Sequence, residues 1–128
     1  MNTFQLSRFV LGFSWIYHGL FPKLLFLAPL ELEMSGSIGL SESNTLLLIR
    51  IAGVSEILFG ILLLVFYKRA ALLYLNIAAL LALLFFVLIM TPQLIVEAFN
   101  PVTTNLPLIV LSLVLLHEAK RSGSESIG

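Results

Sequence analysis

Apolar residues fall into four long blocks separated by short polar breaks. The blocks run from Phe4 to about Leu27, Thr45 to Tyr67, Ala70 to about Met90, and Leu106 to His117 or on towards Arg121. Roughly 20 apolar residues cross a bilayer as a helix. The first three blocks meet that length and the fourth is short. The pattern predicts an all-α, integral membrane four-helix bundle in one domain, residues 1–121. The breaks differ in kind. Ala28 to Asn44 opens at Pro29, carries Glu31 and Glu33, and keeps Leu30, Leu32, Met34, Ile38 and Leu40; such a mixture predicts a segment lying in the membrane interface. Lys68-Arg69 is a tight turn at a membrane surface. Thr91 to Asn105, bracketed by Pro92 and Pro101, holds a second short amphipathic piece. The Ser/Gly-rich end, 122–128, is expected to be a disordered tail.

The polar residues inside the blocks are few and placed on particular faces. The second block, TLLLIRIAGVSEILFGILLLVFY, carries Arg50 and Glu56 around Gly53 and Gly60. On a helical wheel Glu56 lies within about 60° of both glycines, and Arg50 about 120° from Glu56. In the first block Arg8, Gly12, Trp15, Gly19 and Pro22 share a face about 80° wide, with His18 about 60° from Trp15. Small residues let helices approach closely in a membrane, and Asn76 in the third block is suited to hydrogen bonding across helices. Gly12, Gly19, Gly53, Gly60 and Asn76 are therefore assigned to helix packing. Ionised groups in the hydrocarbon are costly and face other helices or a wet cavity. Arg50 and Glu56 are open to two readings, a buried ion pair that fixes packing or a ligand or proton site. His18 and Trp15 divide likewise between packing and contact with a ligand.

Composition narrows the functional classes. The chain is 59% hydrophobic and 11% charged over 128 residues, against about 25% charged in soluble domains. Formal net charge is zero, so no basic footprint for nucleic acid exists. The absence of cysteine excludes dithiol chemistry and thiolate metal sites on this chain. His18 and His117 fall at opposite ends of the bundle, so no metal centre is expected. The N-terminal block is too long for a cleavable signal and reads as the first span. Lys68, Arg69, Lys120 and Arg121 mark one side, and loops one and three hold Lys23 with several glutamates. The positive-inside bias then predicts a multi-pass protein of the inner (cytoplasmic) membrane with both termini cytoplasmic. Depth along the helices predicts a polar cavity in the outer half, built from Trp15, His18, Arg50 and Glu56 and capped by Glu97 and Asn100. Lys23 is expected to snorkel to the surface, and Glu31 to be solvated or to reach Lys23 or Arg50.

The stretches RFVLGFSWIYHGLFPKLL (Arg8 to Leu25), PLELEM after it, RIAGVSEILFGILLL (Arg50 to Leu64) and NPVTTNLPLIVLS (Asn100 to Ser112) together resemble the DoxX-like family. The resemblance implies a small four-helix membrane protein, related to the DoxX and DoxD proteins associated with thiosulfate:quinone oxidoreductase. It implies redox-associated or quinone-linked work, a redox-enzyme partner, and quinone as the one cofactor to consider; a homo-oligomer is what a transport role would require, four spans in one copy being few. By position, the family-type polar residues are Arg8, Trp15, His18, Gly19, Lys23, Glu31, Arg50, Gly53, Glu56, Gly60, Asn100 and Pro101. A binding or transport protein for a small molecule or proton, and a non-enzymatic structural subunit of a membrane complex, are the alternatives.

Overall fold

A computed structural model describes residues 2–26, 28–98 and 100–127, with side chains described as far as Arg121 except at position 30. Among the described residues every regular element is helical. These are α1 (Thr3–Gly19), a π-helical turn (Leu20–Leu25), α2 (Pro29–Gly36), α3 (Glu42–Val65), α4 (Ala70–Met90), a 3-10 turn (Pro92–Val96) and α5 (Pro101–Ile127). Among the described residues three helices are long and apolar enough to cross a membrane: α3, α4, and α5 over Pro101–Arg121. The first expected span is a shorter helix, α1, of 17 residues, continued by the π-helical turn to Leu25. Pro22 sits inside that turn. Proline has no N–H and its ring crowds the carbonyl four residues back, and the wider i→i−5 pattern takes over: Phe26 N donates to Phe21 O at 2.8 Å.

The fourth span is longer than its apolar run suggests. Pro101 to Asn105, expected in a loop, form the first turn of α5. The reason is local. Asn100 Oδ1 accepts from the N–H groups of Val102 (3.0 Å) and Thr103 (3.1 Å), which is an N-cap, and proline is well suited to the first helical position. The two segments expected at the interface are α2 and the 3-10 turn. They meet where Gln93 Nε2 donates to Glu33 Oε1 at 2.8 Å. The expected tail, 122–128, lies beyond the described side chains, and Gly128 outside the described residues.

α1 packs along α3 and against α5, α5 packs along α4, and α3 and α4 meet little beyond their connecting turn. Glycines set the α1–α3 contact. A methyl group on Gly60 would stand 2.7 Å from Gly12 O, and one on Gly53 would stand 2.9 Å from Gly19 O. One on Gly19 would collide with Gly53 O. The antiparallel register therefore faces residue 12 with 60 and residue 19 with 53, backbone against backbone.

The bundle is filled at one end and hollow at the other. Leu11, Trp15, Leu63, Leu73, Leu80, Leu115 and Leu116 form a buried cluster in the half that holds the α3–α4 turn. A polar chain crosses this core. Trp15 Nε1 donates to Asn76 Oδ1 at 2.7 Å, Asn76 Nδ2 donates to Ser112 Oγ, and Ser112 Oγ donates to Leu108 O at 2.7 Å. Asn76 and Ser112 are fully buried. The chain ties α1, α4 and α5 together. Hydrogen bonds between membrane helices average about 0.6 kcal/mol and reach about 1.7. Asn76→Leu strands the indole N–H as well as removing two bonds. It is expected to cost about 1–2 kcal/mol in thermal or SDS unfolding, with part of the loss recovered in Trp15→Phe/Asn76→Leu.

Candidate functional site

The hollow end encloses a cavity of about 410 Å³. Every element contributes to its wall. α3 presents Leu48, Ala52 and Glu56, α4 presents Leu83, Phe86 and Val87, and the 3-10 turn brings Leu94. The cavity thus fills the gap left where α3 and α4 do not pack. Its walls are largely aliphatic, and charge is confined to one cluster.

Lys23 is the centre of that cluster. Its Nζ lies 2.8 Å from Glu31 Oε1 and 3.2 Å from Glu56 Oε2. The side chains are 10%, 8% and 13% exposed for Lys23, Glu31 and Glu56. Each comes from a different element. Glu56 projects from mid-α3 beside the glycine contact, Glu31 from the first turn of α2, and Lys23 from the π-helical turn. Three ionisable groups therefore meet within the bundle, where unpaired charge is costly. The formal count leaves two carboxylates against one ammonium, so the cluster has acceptor capacity beyond what Lys23 satisfies. Among the described residues none gives the buried Glu56 Oε2 a hydrogen bond of good geometry.

Of the expected site residues, Trp15, His18 and Glu56 line the cavity. Trp15 is 8% exposed, and Phe59 abuts its ring edge-to-face, centroids 5.0 Å apart. His18 lies on the rim with an exposed side chain. Arg50 is not brought to Glu56. It is exposed and forms no part of the wall, and Lys23 stands where the sequence placed Arg50. The buried stripe of α3 runs through Thr45, Ile49, Gly53, Gly60 and Leu63, and Arg50, about 100° round from Ile49, falls off it. Glu97 and Asn100 do not cap the cavity. Glu97 is exposed, and Asn100 is engaged in capping α5 and donates from Nδ2 to Glu97 O at 3.0 Å. Thr104 and Asn105, one turn further along, line the cavity instead.

Lys23 and Glu31 were expected as family-type polar residues, and Glu31 does reach Lys23 as one of its expected contacts, but neither was placed in the cavity, although the sequence contained a signal for Lys23. It lies four residues beyond Gly19 and so about 40° from it on a regular wheel, on the packing face. Its position near the end of the apolar block favoured a surface lysine. Among the described residues no group of three or more His, Asp or Glu side chains is arranged to hold a metal ion.

No curated protein and no solved structure matches the chain. The model of the DoxX-like family matches residues 12–113, a span that takes in the glycine contact, the Lys23 cluster and the whole cavity wall. The chain belongs to the DoxX-like family.

Proposed function

We propose that the cavity binds a small amphipathic, lipid-soluble molecule, and that the protein works as an accessory, quinone-associated component of a membrane redox system. The observation that carries this reading is the Lys23–Glu31–Glu56 cluster set in the wall of an otherwise aliphatic cavity. A few convergent polar groups in an apolar pocket orient a ligand's head while its remainder stays in apolar surroundings. Lys23 offers a donor to a carbonyl oxygen, and the carboxylates offer acceptors to a hydroxyl. A quinone and its reduced quinol present those two groups in turn. The single tryptophan supplies a flat wall beside the site. Electrons would come from a partner enzyme.

In this reading α1 and its π-helical turn form the fourth span, and the protein sits in the inner membrane with both termini cytoplasmic. The charge distribution supports this orientation. Arg8, Lys68, Arg69, Lys120 and Arg121 lie at the end of the α3–α4 turn, and Glu31, Glu33, Glu42 and Glu97 at the other. Basic residues favour the cytoplasmic side. Aromatic rings accompany them, with Arg8 4.4 Å from the Tyr67 ring centroid and Lys120 Nζ donating to Tyr74 Oη at 3.0 Å, as at a membrane interface. The excess carboxylate favours one second reading, a proton- or cation-binding transport protein. Proteoliposome flux lost in Glu56→Gln is the outcome expected of that alternative.

The test is ligand-dependent stability in nanodiscs. A ligand that binds only the folded state raises Tm by mass action. A decyl-chain benzoquinone is expected to raise the Tm of the wild-type protein by several degrees, saturably, and that of Glu31→Gln/Glu56→Gln by much less. An unchanged wild-type Tm at saturating probe contradicts the reading.

A further inference from the structure

A second hollow lies against the outside of the bundle, on the far side of the π-helical turn. It is an open cleft of about 630 Å³. His18, Pro22 and Ala28 line both this cleft and the inner cavity. Between the two spaces there is thus a wall one side chain thick. It is made by His18 at the end of α1, Pro22 in the π-helical turn and Ala28 just before α2. The π-helical turn that ends α1 thus places Pro22 between the two hollows.

The outer side of that wall is aromatic. Tyr17 and Phe21 have ring centroids 4.6 Å apart, and Phe21 and Phe26 stack 3° from parallel at 6.4 Å. Phe26 is 69% exposed and Tyr17 50% exposed. All three line the cleft, and none lines the cavity. His18 lies about 22 Å along the helix from Thr3 at 1.5 Å per residue, within a hydrocarbon core about 30 Å thick, while Phe26, Ala28 and Pro29 reach its edge, so the cleft runs from the interface into the lipid. The flat faces of these rings suit a planar head group arriving within the bilayer. Lys23, next to Pro22, then meets that head group on the inner side.

We infer that ligand enters the cavity sideways from the bilayer, through a portal bounded by His18, Pro22 and Ala28 with the Tyr17–Phe21–Phe26 rings as its outer rest. The inference rests on the proposed reading of the cavity and adds the route, which restricts the ligand to planar, membrane-dissolved molecules. It also gives His18 a place as a portal residue rather than as part of the charge cluster.

The test uses two features of the sequence. Trp15 is the single tryptophan and lines the cavity, and the chain has no cysteine. A decyl-chain benzoquinone quenches indole fluorescence on contact, so the equilibrium extent of quenching reads cavity occupancy and its rate reads access. Phe26→Cys places one thiol in the outer cleft only. The same folded protein in nanodiscs is measured before and after alkylation with N-cyclohexylmaleimide. Ile89→Cys, exposed at 75% and away from both hollows, is treated in parallel and controls for partition of the probe into lipid. Alkylation at position 26 is expected to slow quenching at least fivefold with its final extent unchanged, and alkylation at position 89 to leave both unchanged. Saturable quenching whose rate ignores alkylation at position 26 overturns the portal and leaves the cavity reading standing. Absence of saturable quenching in every protein overturns both.

Discussion

Lys23→Met is expected to be the most damaging single change in the chain, costing about 3–5 kcal/mol in unfolding from detergent or nanodiscs. Removing one partner of a buried charge cluster leaves the others uncompensated, and losses of that size follow. Here the substitution strands Glu31 and Glu56, which are 8% and 13% exposed and have Lys23 as their shared counter-charge. Methionine keeps most of the stem, so lost packing contributes little. The triple variant Lys23→Met/Glu31→Gln/Glu56→Gln removes the charges together. It is expected to regain most of the stability, because replacing a whole buried ionic group is often close to neutral. Thermal unfolding of the single and triple variants checks both statements. A triple variant as unstable as Lys23→Met would show that the cost lies in packing at position 23.

Gly53→Leu is expected to have an effect of comparable size by a different route. The α1–α3 contact depends on backbone meeting backbone, and the first atom of any side chain at position 53 lies 2.9 Å from Gly19 O and 3.0 Å from Leu24 Cγ. The leucine side chain can flex, but the carbonyl cannot yield without moving α1. Overpacking of well-packed sites typically costs about 1–3 kcal/mol, and a shift of a whole helix pushes leucine to the top of that range or beyond. The displaced α1 carries the π-helical turn with it. Quinone-dependent stabilisation is therefore expected to fall together with Tm, whereas Asn76→Leu lowers Tm and leaves the ligand effect largely in place. Gly36 has open space where a side chain would begin, so the sensitivity belongs to the contact and not to glycine as such.

The helices were legible because bilayer length and a strict apolar pattern leave few alternatives. Gly12, Gly19, Gly53 and Gly60 could be placed on facing stripes by wheel position alone, since a period of 3.6 residues brings residues seven apart to nearly the same side. The start of α5 was harder to see. Its first turn is polar, and only the Asn100–Pro101 pair, a cap followed by a proline, marks it as helix. The charge cluster was half legible. Glu56 lies on the glycine stripe, so its inward direction follows from the packing. Its partner does not, because a wheel describes one helix and the partner comes from the turn after α1. Depth along the chain placed Lys23 at the surface and made Arg50 the nearer cation. What reversed the order is direction rather than depth: four residues beyond Gly19, Lys23 falls on the packing face and meets Glu31 of α2 and Glu56 of α3. Glu97 and Asn100 were misplaced for a related reason. They have the depth of the cavity mouth, but α5 starts at Pro101, and the cap consumes the Asn100 side chain. At the start of α5 a helix cap decided the outcome, and at Lys23 direction outweighed depth.

Lys23, and not Arg50, is the cation that holds Glu56 inside the bundle. Two double-mutant cycles on unfolding free energy measure this directly, one with Lys23→Met and Glu56→Gln, the other with Arg50→Met and Glu56→Gln. Coupled neighbours give interaction energies of about 0.5–3 kcal/mol, and independent sites add to within about 0.5. The expected result is strong coupling, above about 1 kcal/mol, between positions 23 and 56 and additivity between positions 50 and 56. Additivity at 23 and 56 with strong coupling at 50 and 56 would contradict it.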